Sequence, residues 1–304
     1  MMKRILRWLI LGGTLFFLAK ALKDNWQDVA NIRIDAFSWA ILSTATGITL
    51  LAHTLAGWVW TWVLHDLKQP IHPFKFIQVY LKTNIAKYIP GNVWHYYGRI
   101  LAAKNSEVSV GVATLSVLLE PLLMAAAALI IVLVSSQFIP QDTAFALQIA
   151  RVIGLVGVLC VIHPRFLNLG IRILQRLKVR KSNSSTIPSS TSLLEQYPLR
   201  PLLGELGFIL LRGLGFVLTL FALSPLNWSQ IPLLLGAFSF SWLLGLIVPG
   251  APGGLGVFEA TAIALLQYHF PTALILSAVS LYRLISIFAE TSGAALAWLD
   301  ERLS

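Results

Sequence analysis

The sequence predicts an all-α polytopic membrane protein of about eight transmembrane helices, arranged in two pseudo-repeats with Pro/Gly-broken or re-entrant segments. Three observations lead there. Of 304 residues, 57% are hydrophobic and 12% charged, whereas a soluble domain has roughly a quarter charged. Mean hydropathy is +0.75, which excludes a disordered chain, and the Gly and Pro residues show no collagen period. Long apolar stretches recur along the whole sequence. At about 20 residues per span, eight helices take roughly 160 residues, which leaves no room for a soluble catalytic domain.

The first apolar run, Ile5 to Leu22, follows Met1-Met2-Lys3-Arg4. It reads as an uncleaved helix or, given the small residues around Ala19-Lys20-Ala21, as a signal peptide. Further runs follow at about Phe37 to Leu64, Val108 to Val134, Ala144 to Ile162, Leu202 to Leu223, Ile231 to Val248, Val257 to Phe270 and Thr272 to Leu299. The run ending at Phe270 reaches only about two-thirds of the hydrocarbon thickness at ~1.5 Å per residue, so it needs the preceding Gly/Pro segment or re-enters. Ser182 to Ser192 is a flexible polar linker. It divides a single membrane domain into a first half (1–163), a basic cytoplasmic loop with the linker (164–201) and a second half (202–304).

The net charge of +10 comes with no nucleic-acid motif, so no nucleic-acid partner is expected. It reads instead as the positive-inside bias. Lys3, Arg4 and Arg7 precede the first run, and Lys68, Lys75, Lys82, Lys87, Arg99 and Lys104 lie between the second and third. Arg165, Arg172, Arg176, Lys178, Arg180, Lys181 and Arg200 lie between the fourth and fifth, whereas Ser135 to Thr143 and Ser224 to Gln230 contain none. The expected location is a bacterial plasma (inner) membrane with both termini cytoplasmic. Leu169, Ile173, Leu174 and Leu177 among basic residues also suit an interfacial helix. The lone Cys160 makes no intrachain disulfide, and the six His show no ligand spacing, so neither metal nor cofactor is expected.

Two segments break the helical pattern at comparable positions in the halves. One runs from Lys82 to Arg99 around Pro90-Gly91, the other from Leu246 to Glu259 around Pro249-Gly250-Ala251-Pro252-Gly253-Gly254. Proline removes a donor and glycine admits positive φ, so each pair stops a helix. Non-helical backbone at membrane depth is tolerated only inside protein or along a cavity. Paired Gly/Pro interruptions in two halves point to a transporter site built from broken helices; a tight loop or re-entrant turn that serves packing alone is the plainer reading.

Charges inside apolar runs are expensive in lipid and need a partner or a cavity. Glu120 stands beside Pro121, Arg151 and Arg212 lie within spans, Glu259 follows the second break, and Arg283 and Glu290 share the last run. Glu205 and Arg212 are seven apart, as are Arg283 and Glu290, so each pair shares a helix side; the first pair is expected as a structural ion pair. Glu120, Glu259 and Arg283 are the site candidates, because a guanidinium binds phosphate bidentately and the carboxylates can relay protons. Trp94, directly after the first break, is either an interfacial anchor or part of the site.

Lys87-Tyr88-Ile89-Pro90-Gly91-Asn92-Val93-Trp94 with Arg99, then Val248-Pro249-Gly250-Ala251-Pro252-Gly253-Gly254-Leu255-Gly256-Val257-Phe258-Glu259, then Leu281-Tyr282-Arg283-Leu284, resemble the lysylphosphatidylglycerol synthase transmembrane-region family of flippase-like integral membrane proteins. The resemblance covers nearly the whole chain. It implies a helical membrane domain that, in the long bacterial synthases, moves aminoacylated phosphatidylglycerol to the outer leaflet. The cytosolic aminoacyl-transferase domain of those enzymes is absent here, so a stand-alone member without synthase activity is expected. Many members carry a Glu-Arg pair and a nearby Asp in the third span, where this chain has Glu120-Pro121-Leu122.

The combined expectation is a lipid translocase moving a phospholipid or lipid-linked substrate between leaflets of the plasma membrane. Its headgroup site would draw on Lys87, Pro90, Gly91, Trp94, Arg99, Glu120, Pro249, Gly250, Pro252, Gly253, Gly254, Glu259 and Arg283. Membrane lipids are the expected partners, with a lipid-modifying enzyme and a second copy of the chain as further candidates. The alternatives are a membrane-embedded transferase using Glu120 or Glu259 as base, or a non-transporting partner of a lipid-modifying enzyme.

Overall fold

The computed structural model describes residues 23, 27, 35–89, 93–138, 145–169, 194–248 and 252–303. Among them the regular structure is helical throughout: α1 (Ala36–Asp66), α2 (Pro73–Asn84), α3 (Trp94–Lys104), α4 (Val110–Ser135), α5 (Phe145–Val161), α6 (Leu199–Leu223), α7 (Ile231–Ile247), α8 (Val257–Leu266) and α9 (Thr272–Leu303). Among the described residues, five stretches are long and apolar enough to cross a membrane, namely α1, α4, α6, Trp228–Ile247 and α9. The protein is therefore a multi-pass helical membrane protein. Two further apolar helices, Gln148–Val161 and Val257–Leu266, are shorter. The first apolar run, the Ser-rich linker and all but Leu169 of the basic amphipathic residues lie outside the described residues.

The helices start where the chain supplies caps. Asp35 Oδ1 accepts the Ser38 amide at 2.8 Å at the head of α1, one of the four amides that a helix start leaves without a partner. Pro73 opens α2, where a missing N–H costs nothing.

The central contact pairs α1 with α6. Ala45, Ala52 and Ala56 of α1 are fully buried, and Gly204 of α6 lies against Val59 and Trp62 so closely that no β-carbon would fit. A β-carbon on Gly215 would stand 2.7 Å from Thr49 Oγ1. Small residues let backbones approach, and in lipid that packing replaces the hydrophobic drive available in water. Helices α4, α7 and α9 pack around this pair, and α8 packs on α7 and α9.

The stretch read as a basic loop between the second and third runs is largely helical. Helices α2 and α3 pack on one another, α2 also contacts α1 and α9, and α3 contacts α4. Phe76, Tyr80, Asn84 and Arg99 are buried there. Arg99 and Lys87, counted by sequence among the charges between the runs, are ion-pair partners, the first buried and the second partly so, because each faces a carboxylate across the bundle.

Candidate functional site

The two sequence breaks meet in space. The first leaves α2 through a single tight turn, Ile85–Tyr88; the second enters α8 through Pro252–Gly254; and the two turns touch. Gly253 and Gly254 have φ of 58° and 73°, a region L side chains avoid. The Tyr88 ring lies where a β-carbon on Gly253 would be, 2.9 Å from its ideal position, and Gly254 closes on the backbone of Gly245 in α7. Glycine here serves both the turn and the contact.

Between the breaks lies a cavity of about 110 Å³. Lys87, Tyr88, His95, Tyr96 and Arg99 line it from the first break, and Gly253, Gly254 and Phe258 from the second. His53, Tyr80, Glu120, Arg212, Tyr282, Arg283 and Ser286 complete its polar wall. Phe258 and Tyr282 of the lining pack with Phe216 and Phe238 in one aromatic cluster, with ring centroids 5.6 to 6.4 Å apart.

Its charges are arranged in pairs. Arg99 Nη1 donates to Glu120 Oε2 at 2.7 Å, and the Tyr80 hydroxyl donates to Oε1 at 2.7 Å. The guanidinium also lies over the Tyr80 ring, 3.6 Å from its centroid. Lys87 Nζ donates to Glu290 Oε1 at 2.6 Å, and His53 Nε2 lies 3.0 Å from the same oxygen. Arg283 Nε donates to Glu259 Oε1 at 2.8 Å, while Nη1 donates to the Gly253 carbonyl at 2.9 Å. Glu259 Oε2 accepts the Gly256 amide at 2.7 Å and so caps α8. Arg283 and Glu259 together fasten the second break to α9.

Arg212 differs from the other cations. Its Nε donates to the Tyr282 hydroxyl at 3.2 Å and Nη2 to Ser286 Oγ at 3.1 Å, and no carboxylate bonds it among the described residues. The expected Glu205–Arg212 ion pair does not form. Arg212 turns into the cavity, whereas Glu205 is fully buried, outside the cavity lining, with both oxygens lacking a hydrogen-bond partner. Arg283 and Glu290 do not pair either, because each finds a carboxylate or an ammonium on another segment.

Of the residues singled out by sequence, Lys87, Arg99, Glu120, Gly253, Gly254 and Arg283 line the cavity, and Glu259 stands behind Arg283. Pro252 opens the second turn. Trp94 is half-exposed and packs edge-on against Tyr97 rather than on the cavity. Pro90, Gly91, Pro249 and Gly250 lie outside the described residues. His53, Tyr80, His95, Tyr282 and Ser286 were missed. His53 in mid-span was the one available signal.

The model of the lysylphosphatidylglycerol synthase TM region matches residues 4–291. The chain belongs to this family. No curated protein matches it. The lysylphosphatidylglycerol synthase TM-region match contains both breaks and every cavity residue, which relates the protein to lipid modification or transport.

Proposed function

We propose that the protein is a translocase for an anionic phospholipid or lipid-linked headgroup, with the cavity between the two breaks as the headgroup site. The observation that carries this reading is Arg212, a buried guanidinium lining the cavity with hydroxyl partners alone. A buried cation without a carboxylate is costly. An anion seated in the cavity offsets that cost, and phosphate matches guanidinium geometry bidentately. Lys87, Arg99, Arg212 and Arg283 face Glu120, Glu259 and Glu290, so the paired groups leave one positive charge over.

Lys87 and Arg283 keep 16% of their side-chain surface exposed and offer a polar entrance at the breaks. Acyl tails would stay in lipid while the headgroup passes along these cations. Passive movement or proton coupling supplies the driving force in this reading. The positive-inside bias supports a topology with both termini in the cytoplasm of a bacterial-type cell.

A transferase reading draws little from the geometry, since both oxygens of Glu120 and of Glu259 already accept hydrogen bonds. The test is reconstitution of the purified protein with fluorescent anionic phospholipids and a membrane-impermeant quencher. Accelerated loss of inner-leaflet signal supports translocation. Rates equal to empty liposomes across several anionic headgroups overturn it.

A further inference from the structure

Glu205 has no place in the site described above. It is 0% exposed, both carboxyl oxygens lack a hydrogen-bond partner among the described residues, and it lies nearly two turns inside α6. An ionised carboxylate in that position would forfeit its hydration without a hydrogen bond in exchange, so the neutral acid is the form that fits this packing.

Its surroundings matter. Glu205 lies near enough to Glu120 and Arg99 to feel both charges, and near enough to Tyr80 to act on it. Arg99 Nε has no hydrogen-bond partner among the described residues, although its Nη1 is held by Glu120. Among the other elements packed on α6, α7 carries no ionisable side chain. In α9, Arg283 and Glu290 are engaged with Glu259, Lys87 and His53, and α1 contributes His53. On the far side, Leu203 and Gly204 line an open groove with Asp66 and Arg200. Glu205 therefore follows the groove residues Leu203 and Gly204 in α6 and stands beside an ion pair that faces the cavity.

We infer that Glu205 is a proton-binding site coupled to anion binding in the cavity, so that a proton and an anionic headgroup are taken up together. The inference rests on the cavity being an anion site. With Glu205 protonated, four cations face three carboxylates around the cavity and one positive charge is left over; an ionised Glu205 would add a negative charge beside Arg99 and Glu120 and weaken the pull of the cavity on an anion. An anion therefore favours the protonated acid, and by reciprocity the proton favours the anion. No covalent chemistry is involved: the proton leaves bulk water for a Glu205 oxygen and returns when the anion departs.

The test uses the purified full chain in lipid nanodiscs. The first arm is infrared difference spectroscopy of the carboxylic-acid carbonyl band over a pH titration. A band present in wild type and lost in Glu205→Gln supports the proton site. If that variant fails to fold, Glu205→Asp, which keeps an acid but shifts its band, carries the assignment. A wild type without the band, or a band untouched by either substitution, overturns the proton site.

The second arm measures binding of glycerophosphoglycerol, a soluble phosphodiester whose own charge is constant over the range. The expected affinity falls about tenfold per pH unit above the midpoint of the band, as for one linked proton, and is independent of pH in Glu205→Gln. Wild-type affinity that ignores the titration overturns the coupling. A titrating band with no phosphodiester binding at any pH overturns the anion reading of the cavity and the coupling, while supporting the proton site.

Discussion

Lys87 Nζ lies 2.6 Å from Glu290 Oε1, a bond between the turn that ends α2 and the middle of the last helix, 203 residues away. The Glu290 side chain is 1% exposed, so it has no recourse to water if Lys87 is removed. Removing one partner of such a pair costs about 3–5 kcal/mol, because the other charge is left buried. Lys87→Met is therefore expected to lower thermal stability in detergent markedly. Adding Glu290→Gln to it recovers part of the loss, which a double-mutant thermal unfolding cycle measures.

Gly253 carries a second prediction. At φ 58° an alanine pays about 1–2 kcal/mol of backbone strain, and its β-carbon meets the Tyr88 ring at 2.9 Å. Gly253→Ala should destabilise the contact between the breaks. Tyr88→Ala added to it relieves the clash and leaves the strain, so unfolding of the double variant should fall between wild type and Gly253→Ala after correction for Tyr88→Ala alone.

Arg283 fastens the second break through Glu259 and the Gly253 carbonyl. Its substitution by Lys keeps the charge but loses the planar fork. Hydrogen exchange of amides around 252–258 is expected to rise in Arg283→Lys and further in Arg283→Ala. Unchanged protection in both would remove Arg283 as the fastener.

Arg212 separates binding from stability. Its partners are two hydroxyls, so Arg212→Met strands no carboxylate hydrogen-bonded to it and should leave the bundle folded. Loss of charged hydrogen bonds to an anion corresponds to about 1.5–3 kcal/mol, or roughly ten- to hundredfold weaker phosphodiester binding, read by calorimetry alongside a thermal melt.

How much of this was legible in the sequence depends on the kind of feature. The breaks were, since Pro and Gly inside apolar runs announce backbone that cannot stay helical, and so were Glu120 and Arg283, since a charge in such a run stands out; Arg99 was marked only by its place in the first break. Partner choice was not. A spacing of seven put Glu205 with Arg212 and Arg283 with Glu290 along single helices, yet the bundle gives Arg283 to Glu259, Glu290 to Lys87 and Arg212 to Tyr282 and Ser286. Helical periodicity fixes which side a residue faces, whereas tertiary packing decides what it meets there. Tyr80 had no signal in the sequence and Tyr282 stood only within the motif that precedes Arg283; the hydroxyl contacts to Glu120 and Arg212 are what mark them as polar.

The central claim is that the cavity between the breaks carries lipid headgroups across the membrane. The most direct measurement is leaflet exchange of fluorescent anionic phospholipids in proteoliposomes, comparing wild type, Arg212→Met and Arg283→Ala. The account predicts exchange well above empty liposomes for wild type, near background for Arg212→Met, and exchange without headgroup selectivity or at background for Arg283→Ala. Exchange by Arg212→Met as fast as by wild type, or no exchange by wild type with any anionic headgroup, would contradict it.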